Sequence, residues 1–98
     1  MKILLLCGGG FSTSILMNKM RKWAEQNNED ITIDAKGKEA YESIYHEYDC
    51  ILLGPQISYC LDDIKNNVSI PVAGIPSIDY AVGNAENVVN LAKKITGK

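Results

Sequence analysis

Residues 3–14 read Ile-Leu-Leu-Leu-Cys-Gly-Gly-Gly-Phe-Ser-Thr-Ser, and this stretch decides the predicted fold. The apolar run from Ile3 to Leu6 has no alternating polar residues, which is typical of a strand that helices cover on both faces. Beyond the glycines, the side of a helix predicted to face the core carries Leu16, Met20, Trp23, Ala24 and Asn27. The stretch therefore predicts a buried strand, a glycine-rich turn and an amphipathic helix.

The rest of the chain repeats this alternation of short apolar runs and longer amphipathic segments. Further strands are predicted at Ile31–Asp34, Cys50–Leu53 and Ile70–Ala73, and further helices at Lys38–His46, Ile57–Ile64 and Ala85–Ile95. The strand at 31–34 is the most polar, which suits a sheet edge. The pattern is that of an α/β protein.

Crossovers between parallel strands are right-handed, so helices should cover both faces of the sheet. We expect a doubly wound, four-stranded parallel sheet with strand order 2-1-3-4, formed by one domain over residues 1–98. The loops at 7–13, 54–57 and 74–81 should then emerge at the carboxyl edge, where such sheets bind ligands.

Composition excludes several classes of function. The 98 residues include 10 Lys and Arg against 12 Asp and Glu, so the chain has no excess positive charge for non-specific nucleic-acid binding, and we expect no nucleic-acid partner. Three cysteines, one histidine (His46) and no CxxC motif indicate neither a disulfide framework nor a metal site, and no cofactor is expected. The apolar run near the N-terminus is too short for a signal peptide, and no run is long enough to span a membrane, so we expect a cytoplasmic protein.

The turn after the first strand has the chemistry of an anion site. Backbone N–H groups and the positive end of a helix dipole point outward there, and Gly8, Gly9 and Gly10 allow close approach. The hydroxyls of Ser12, Thr13 and Ser14 add donors. The same environment favours the thiolate of Cys7, which is the nucleophilic form of cysteine.

These residues leave three interpretations open. A nucleotide or other anion-binding module is one, although the turn has neither the GxGxxG spacing nor the GK[ST] ending of a P-loop. A cysteine phosphatase or arsenate reductase is the second, but Thr13 occupies the arginine position of the phosphatase-like Cys-x5-Arg loop. A phosphoryl carrier is the third, because neutral donors would allow a phosphocysteine to form without stabilising it so strongly that the phosphoryl group could not be passed on.

Residues 6–14, together with Leu53-Gly54-Pro55-Gln56-Ile57 and Tyr59, resemble the IIB component of the lactose/cellobiose (N,N'-diacetylchitobiose) family of the bacterial phosphoenolpyruvate-dependent sugar phosphotransferase system. The resemblance implies that Cys7 accepts a phosphoryl group from a phosphohistidine of a IIA protein. It implies transfer to a sugar held by the membrane IIC permease, with transient association at the inner face of the membrane. Gly8, Gly9, Gly10, Phe11, Ser12, Thr13 and Ser14 would form the phosphate-binding loop.

Topology and apolar surroundings predict the places of several other residues. Gln56, Ser58 and Tyr59 should neighbour the cysteine loop and contact the phosphoryl group or a docking partner. Cys50 and Cys60 are expected in the core, and His46 at a helix end. Asp79, beside Tyr80, is either a general acid or a helix-starting residue.

Overall fold

A computed structural model describes residues 1–8 and 12–98, with Ser12 described by its backbone alone. The four strands are β1 (Lys2–Cys7), β2 (Thr32–Gly37), β3 (Cys50–Leu53) and β4 (Val72–Gly74). They form one parallel sheet in the order β2-β1-β3-β4, which confirms the predicted order. The polar strand lies at an edge, as expected.

The α-helices are α1 (Ser12–Gln26), α2 (Tyr41–Ile44), α3 (Leu61–Asn67), α4 (Ser77–Val82) and α5 (Ala85–Thr96). Three 3-10 helices occupy Lys38–Ala40, Tyr45–Glu47 and Pro55–Cys60. The helices that the apolar spacing predicted around Leu16–Asn27 and at Ala85–Ile95 are therefore present, as α1 and α5. Asn27, which was placed on the apolar side of the first, is exposed.

Alternate side chains of β1 enter two different cores, and this makes the fold doubly wound. Ile3 and Leu5 pack with residues of α1 and α5 on one face. Leu4 and Leu6 pack on the other face with Ile57 and with residues of α2 and α3. Because both faces are covered, β1 and β3 are buried along their apolar runs.

Three predicted boundaries were wrong. The helix expected over Lys38–His46 is instead a four-residue helix between two 3-10 helices, because the backbone at Ile44 (φ −125°, ψ −12°) leaves the helical region. The loop expected over 74–81 contains α4, which follows Pro76 and ends at Gly83 in the left-handed conformation. The strand predicted at Ile70–Ala73 begins later, at Val72, directly after Pro71.

Candidate active site

Cys7 is the last residue of the central strand β1, and its side chain is 7% exposed. In the register of the sheet it pairs with Gly37, and its thiol lies 3.9 Å from the carbonyl oxygen of Lys36. The helix α1 begins at Ser12, five residues further on. The cysteine thus stands at the carboxyl edge of the sheet, between a buried strand and a helix N-terminus.

The predicted phosphate-binding loop is described at its two ends. Gly8 follows β1 and is exposed, and Thr13 and Ser14 lie in the first turn of α1, buried and exposed respectively. Gly9, Gly10 and Phe11 lie outside the described residues. Only the backbone of Ser12 is described, as the first residue of the helix.

The loop after β3 contacts the end of β1. The amide of Gly54 donates to the carbonyl oxygen of Leu6 at 3.0 Å. A methyl group on Gly8 would lie only 3.2 Å from Cγ2 of Ile57, so the side chain of Ile57 closely approaches the start of the first loop. The neighbourhood inferred from the strand order is therefore present in the structure.

Three residues of this second loop were candidates for contact with the phosphoryl group. Gln56 is exposed, and its Oε1 lies 2.9 Å from where a Cβ of Gly54 would stand. The hydroxyl of Ser58 donates to the carbonyl oxygen of Pro55 at 3.1 Å, within its own turn. Tyr59 is 77% exposed and presents its ring to solvent. The structure places Gln56 at the sheet edge, while the Ser58 hydroxyl is already hydrogen-bonded within its turn.

A cation that the sequence did not predict lies at this edge, outside the segment from Cys7 to Asn18, which contains no Lys or Arg. Lys38 directly follows β2, one residue after the partner of Cys7. Its ammonium lies 5.6 Å from the centroid of the Tyr59 ring, and its hydrogen bond to the Cys60 thiol raises the pKa of Lys38 above its usual value. A positive charge therefore borders the second loop.

Tyr80 is a second residue of the site that the sequence did not identify. Its hydroxyl is 3.0 Å from the hydroxyl of Thr13, and its ring lies 3.4 Å from where a Cβ of Gly54 would stand. The neighbouring Asp79 lies in the first turn of α4 and accepts a hydrogen bond from the Asn87 amide at 3.0 Å. The sequence feature that could have indicated Tyr80 is its position in a short segment between Pro76 and Gly83.

The other two cysteines are in the core, as predicted. Cys50 is fully buried in β3, and burial, together with the nearby Asp49 carboxylate, raises the pKa of its thiol to about 12. Cys60 is 5% exposed and packs beside Ile57 and Ile64, with its thiol hydrogen-bonded to Lys38. Of the three, only Cys7 stands at a strand end before a helix N-terminus.

Cys7 ends an inner strand of a parallel α/β sheet, five residues before the N-terminus of a long helix. This is the edge at which proteins of this fold class commonly bind anions. Residues 2–91 match the family model described as "PTS system, Lactose/Cellobiose specific IIB subunit". The chain belongs to this family, and so is a component of a sugar phosphotransferase.

Relatives of known name agree with this assignment. The chain is 30% identical to the oligo-beta-mannoside-specific EIIB component of Bacillus subtilis (strain 168), with 93% of this chain and 91% of the relative covered. It is also 30% identical to the cellobiose-specific EIIB component of Lactococcus lactis subsp. lactis (strain IL1403), covering 95% and 94%. A lactose-specific EIICB component of Staphylococcus aureus is 35% identical over 65 residues, which span 66% of this chain and 11% of that protein.

Solved structures show the same fold. The solution structure of the cellobiose-specific phosphotransferase IIB component from Borrelia burgdorferi matches with a TM-score of 0.84 and 35% identity, covering 99% of this chain and 92% of that one. The lactose-specific IIB domain from Streptococcus pneumoniae matches with a TM-score of 0.85 at 21% identity, covering 94% and 96%.

Within residues 1–8 and 12–98, none of the helices has both the length and the apolar character needed to cross a bilayer.

Proposed function

We propose that Cys7 carries a phosphoryl group from the phosphohistidine of a IIA protein to a hydroxyl of a cellobiose-, chitobiose- or lactose-like sugar held by a membrane IIC permease. The observation that carries the proposal is the position of Cys7 at the end of β1, before the N-terminus of α1. Family membership favours this carrier over a cysteine phosphatase, an arsenate reductase-like enzyme or a non-catalytic anion-binding module.

Two substitutions at phosphorus make up the reaction. In the first, the Cys7 thiolate attacks the phosphorus, an S–P bond forms and the N–P bond to the donor imidazole breaks. In the second, the sugar hydroxyl oxygen attacks, an O–P bond forms and the S–P bond breaks, which returns the thiolate. The hydroxyl proton passes to a base on the sugar-binding partner or to water. The protein supplies the Cys7 nucleophile, and positioning and charge stabilisation provide most of the remaining catalysis.

The proposed phosphate-binding loop would bind through the backbone and hydroxyls of residues 8–14. These donors are neutral, and Thr13 stands where the phosphatase-like loop has its arginine. Lys38 supplies a positive charge beyond the end of β2, outside that loop. Neutral donors stabilise the phosphocysteine enough for it to form, but not so strongly that the phosphoryl group cannot be transferred.

The partners are proposed from the same chemistry. Residues 1–98 would act as one unit, and the surface around Cys7, with Gln56, Ser58 and Tyr59, would dock the IIA and IIC proteins in turn. The EIICB name of the Staphylococcus aureus relatives supports the IIC partnership. The site would work at the cytoplasmic side of the membrane, where the chain associates transiently with IIC through a small interface.

Intact-mass analysis tests the proposal. Incubation with phosphoenolpyruvate, the general phosphotransferase proteins and a cognate IIA should add one phosphoryl group to the chain. The adduct should disappear in Cys7→Ser and persist in the matched control Cys50→Ala, whose thiol is buried on β3. Release of phosphate from an aryl phosphate, without a lasting adduct, would support the phosphatase instead. A wild-type chain that gains no phosphoryl group and releases no phosphate from the aryl phosphate would refute both covalent functions.

A further inference from the structure

Thr13 is the one polar side chain that is fully buried within the described part of the chain, at 1% exposure. It lies in the first turn of α1, one residue after the helix begins. A buried hydroxyl without a hydrogen-bond partner destabilises the fold, so what Thr13 contacts determines how this turn is held. The hydroxyl of Tyr80, 67 residues further along the chain, lies 3.0 Å from it.

Tyr80 belongs to a segment that is fixed at both ends. Before it, the amide of the buried Ile75 donates to the carbonyl oxygen of Leu53 at 2.9 Å, continuing the pairing between β3 and β4. After it, Gly83 turns the chain with a left-handed φ of 66°, and the side chain of Asn84 caps α5. The short helix α4 therefore holds the Tyr80 side chain in a defined place relative to the sheet.

The ring of Tyr80 also lies beside the second loop. Its Cε2 would be 3.4 Å from a Cβ at Gly54, which is an ordinary van der Waals distance. Gly54 is itself tied to β1 through its hydrogen bond to Leu6. Tyr80 thus links three segments of the carboxyl edge: the start of α1, the turn after β3 and the segment after β4.

We propose that Tyr80 is a positioning residue for phosphoryl transfer. Its hydroxyl holds Thr13, and thereby fixes the first turn of α1, whose backbone N–H groups face the phosphoryl group on Cys7. This inference rests on the proposed function. It assigns Tyr80 no contact with the reacting atoms: it acts through Thr13, and a small displacement of preorganised donors is enough to slow a transfer strongly.

Single-turnover transfer from phosphorylated IIA tests this role. Tyr80→Phe removes the hydroxyl and keeps the ring beside Gly54, and we expect the transfer step to slow by about tenfold, as for the loss of one buried hydrogen bond. The KM for IIA should change little. Tyr41→Phe is the matched control, because it likewise removes a tyrosine hydroxyl from a partly buried hydrogen bond, here one accepted from Asn67 at 3.1 Å on the α2 side of the sheet.

A double-mutant cycle separates positioning from general destabilisation. Thr13→Val should slow transfer as Tyr80→Phe does, Thr13→Ser should retain more of the rate, and Tyr80→Phe should add little in the Thr13→Val background. Additive effects, or a Tyr80→Phe rate equal to that of Tyr41→Phe, would overturn the inference while the proposed function stands. A wild-type chain that takes no phosphoryl group would overturn both.

Discussion

A methyl group added at Gly8 tests the contact that joins the two loops of the site. In Gly8→Ala the new Cβ would lie 3.2 Å from Cγ2 of Ile57, closer than the separation of about 3.5–4.0 Å at which two carbons attract. Ile57 is 2% exposed, so it cannot swing into solvent to make room. One of the two loops must shift by a few tenths of an ångström.

The cost follows from the size of this overlap. We expect Gly8→Ala to lower the free energy of unfolding by about 1 kcal/mol, at the low end for overpacking. Ile57→Ala alone should cost about 2–5 kcal/mol, because it removes a buried side chain. In the double variant the overlapping methyl is gone, so the combined loss should be smaller than the sum by about 1 kcal/mol.

Urea denaturation followed by circular dichroism measures all of these values. Gly74→Ala is the matched control: it adds a methyl at the end of β4, where no atom lies within 4 Å of the new Cβ. It should be neutral, or stabilise by up to about 1 kcal/mol through the unfolded state, and its effect should add to that of Ile57→Ala. If Gly8→Ala is as harmless as Gly74→Ala, or additive with Ile57→Ala, then the loops do not touch as described.

Three further substitutions test other parts of the structure. The pKa of the Cys50 thiol is raised from 9.0 to about 12. Its contribution to the free energy of unfolding is therefore complete below pH 9 and decreases by about 1 kcal/mol per pH unit as pH rises towards 12. Cys50→Ala should reduce this alkaline loss of stability when unfolding is measured as a function of pH. Asp49 accepts hydrogen bonds from the amide of Lys2 at 2.7 Å and from Lys98 at 3.0 Å, which lower its pKa from 3.8. Its contribution is therefore present above pH 3.8 and lost as pH falls further, and Asp49→Asn should reduce stability at neutral pH and weaken the acid dependence, whereas an unchanged acid limb would contradict this. Gly83→Ala places a side chain at φ 66° and should cost about 1–2 kcal/mol in thermal unfolding; an unchanged melting temperature would argue against the left-handed turn.

The apolar runs were sufficient to predict the sheet. Both β1 and β3 are short, unbroken apolar segments, and only a strand covered on both faces satisfies such a run in a chain of this length. The mixed polar and apolar composition of β2 likewise predicted an edge. The position of Cys7 follows directly from the end of the first run, so the sequence alone predicted where this cysteine lies in the fold.

Helical spacing was a weaker guide where the segments are short. Tyr41, Ile44 and Tyr45 have the spacing of a helix, yet only Tyr41 is buried, and the backbone leaves the helical region at Ile44. Too little apolar area is buried there to hold a longer helix together. The six residues of α4 are likewise too few for a periodic pattern to be recognised.

The contact between Tyr80 and Thr13 lay beyond any local pattern. It joins residues 67 positions apart, and it depends on how α4 is placed after β4. Lys38 was missed for a related reason: it reaches the edge from β2, a strand that leads directly into neither of the two site loops. Residues that reach a site from distant segments of the chain can be identified only from the three-dimensional structure.

Both chain termini lie at the end of the sheet opposite the cysteine. The amino group of Met1 donates to the carbonyl oxygen of Asp30 at 2.9 Å, just before β2 begins, and Lys98 pairs with Asp49 just before β3 begins. A dye, an affinity tag or a surface tether attached at either end would therefore point away from the face that carries Cys7. Immobilised protein should remain open to a docking partner, so binding could be followed on a sensor chip without redesigning the chain.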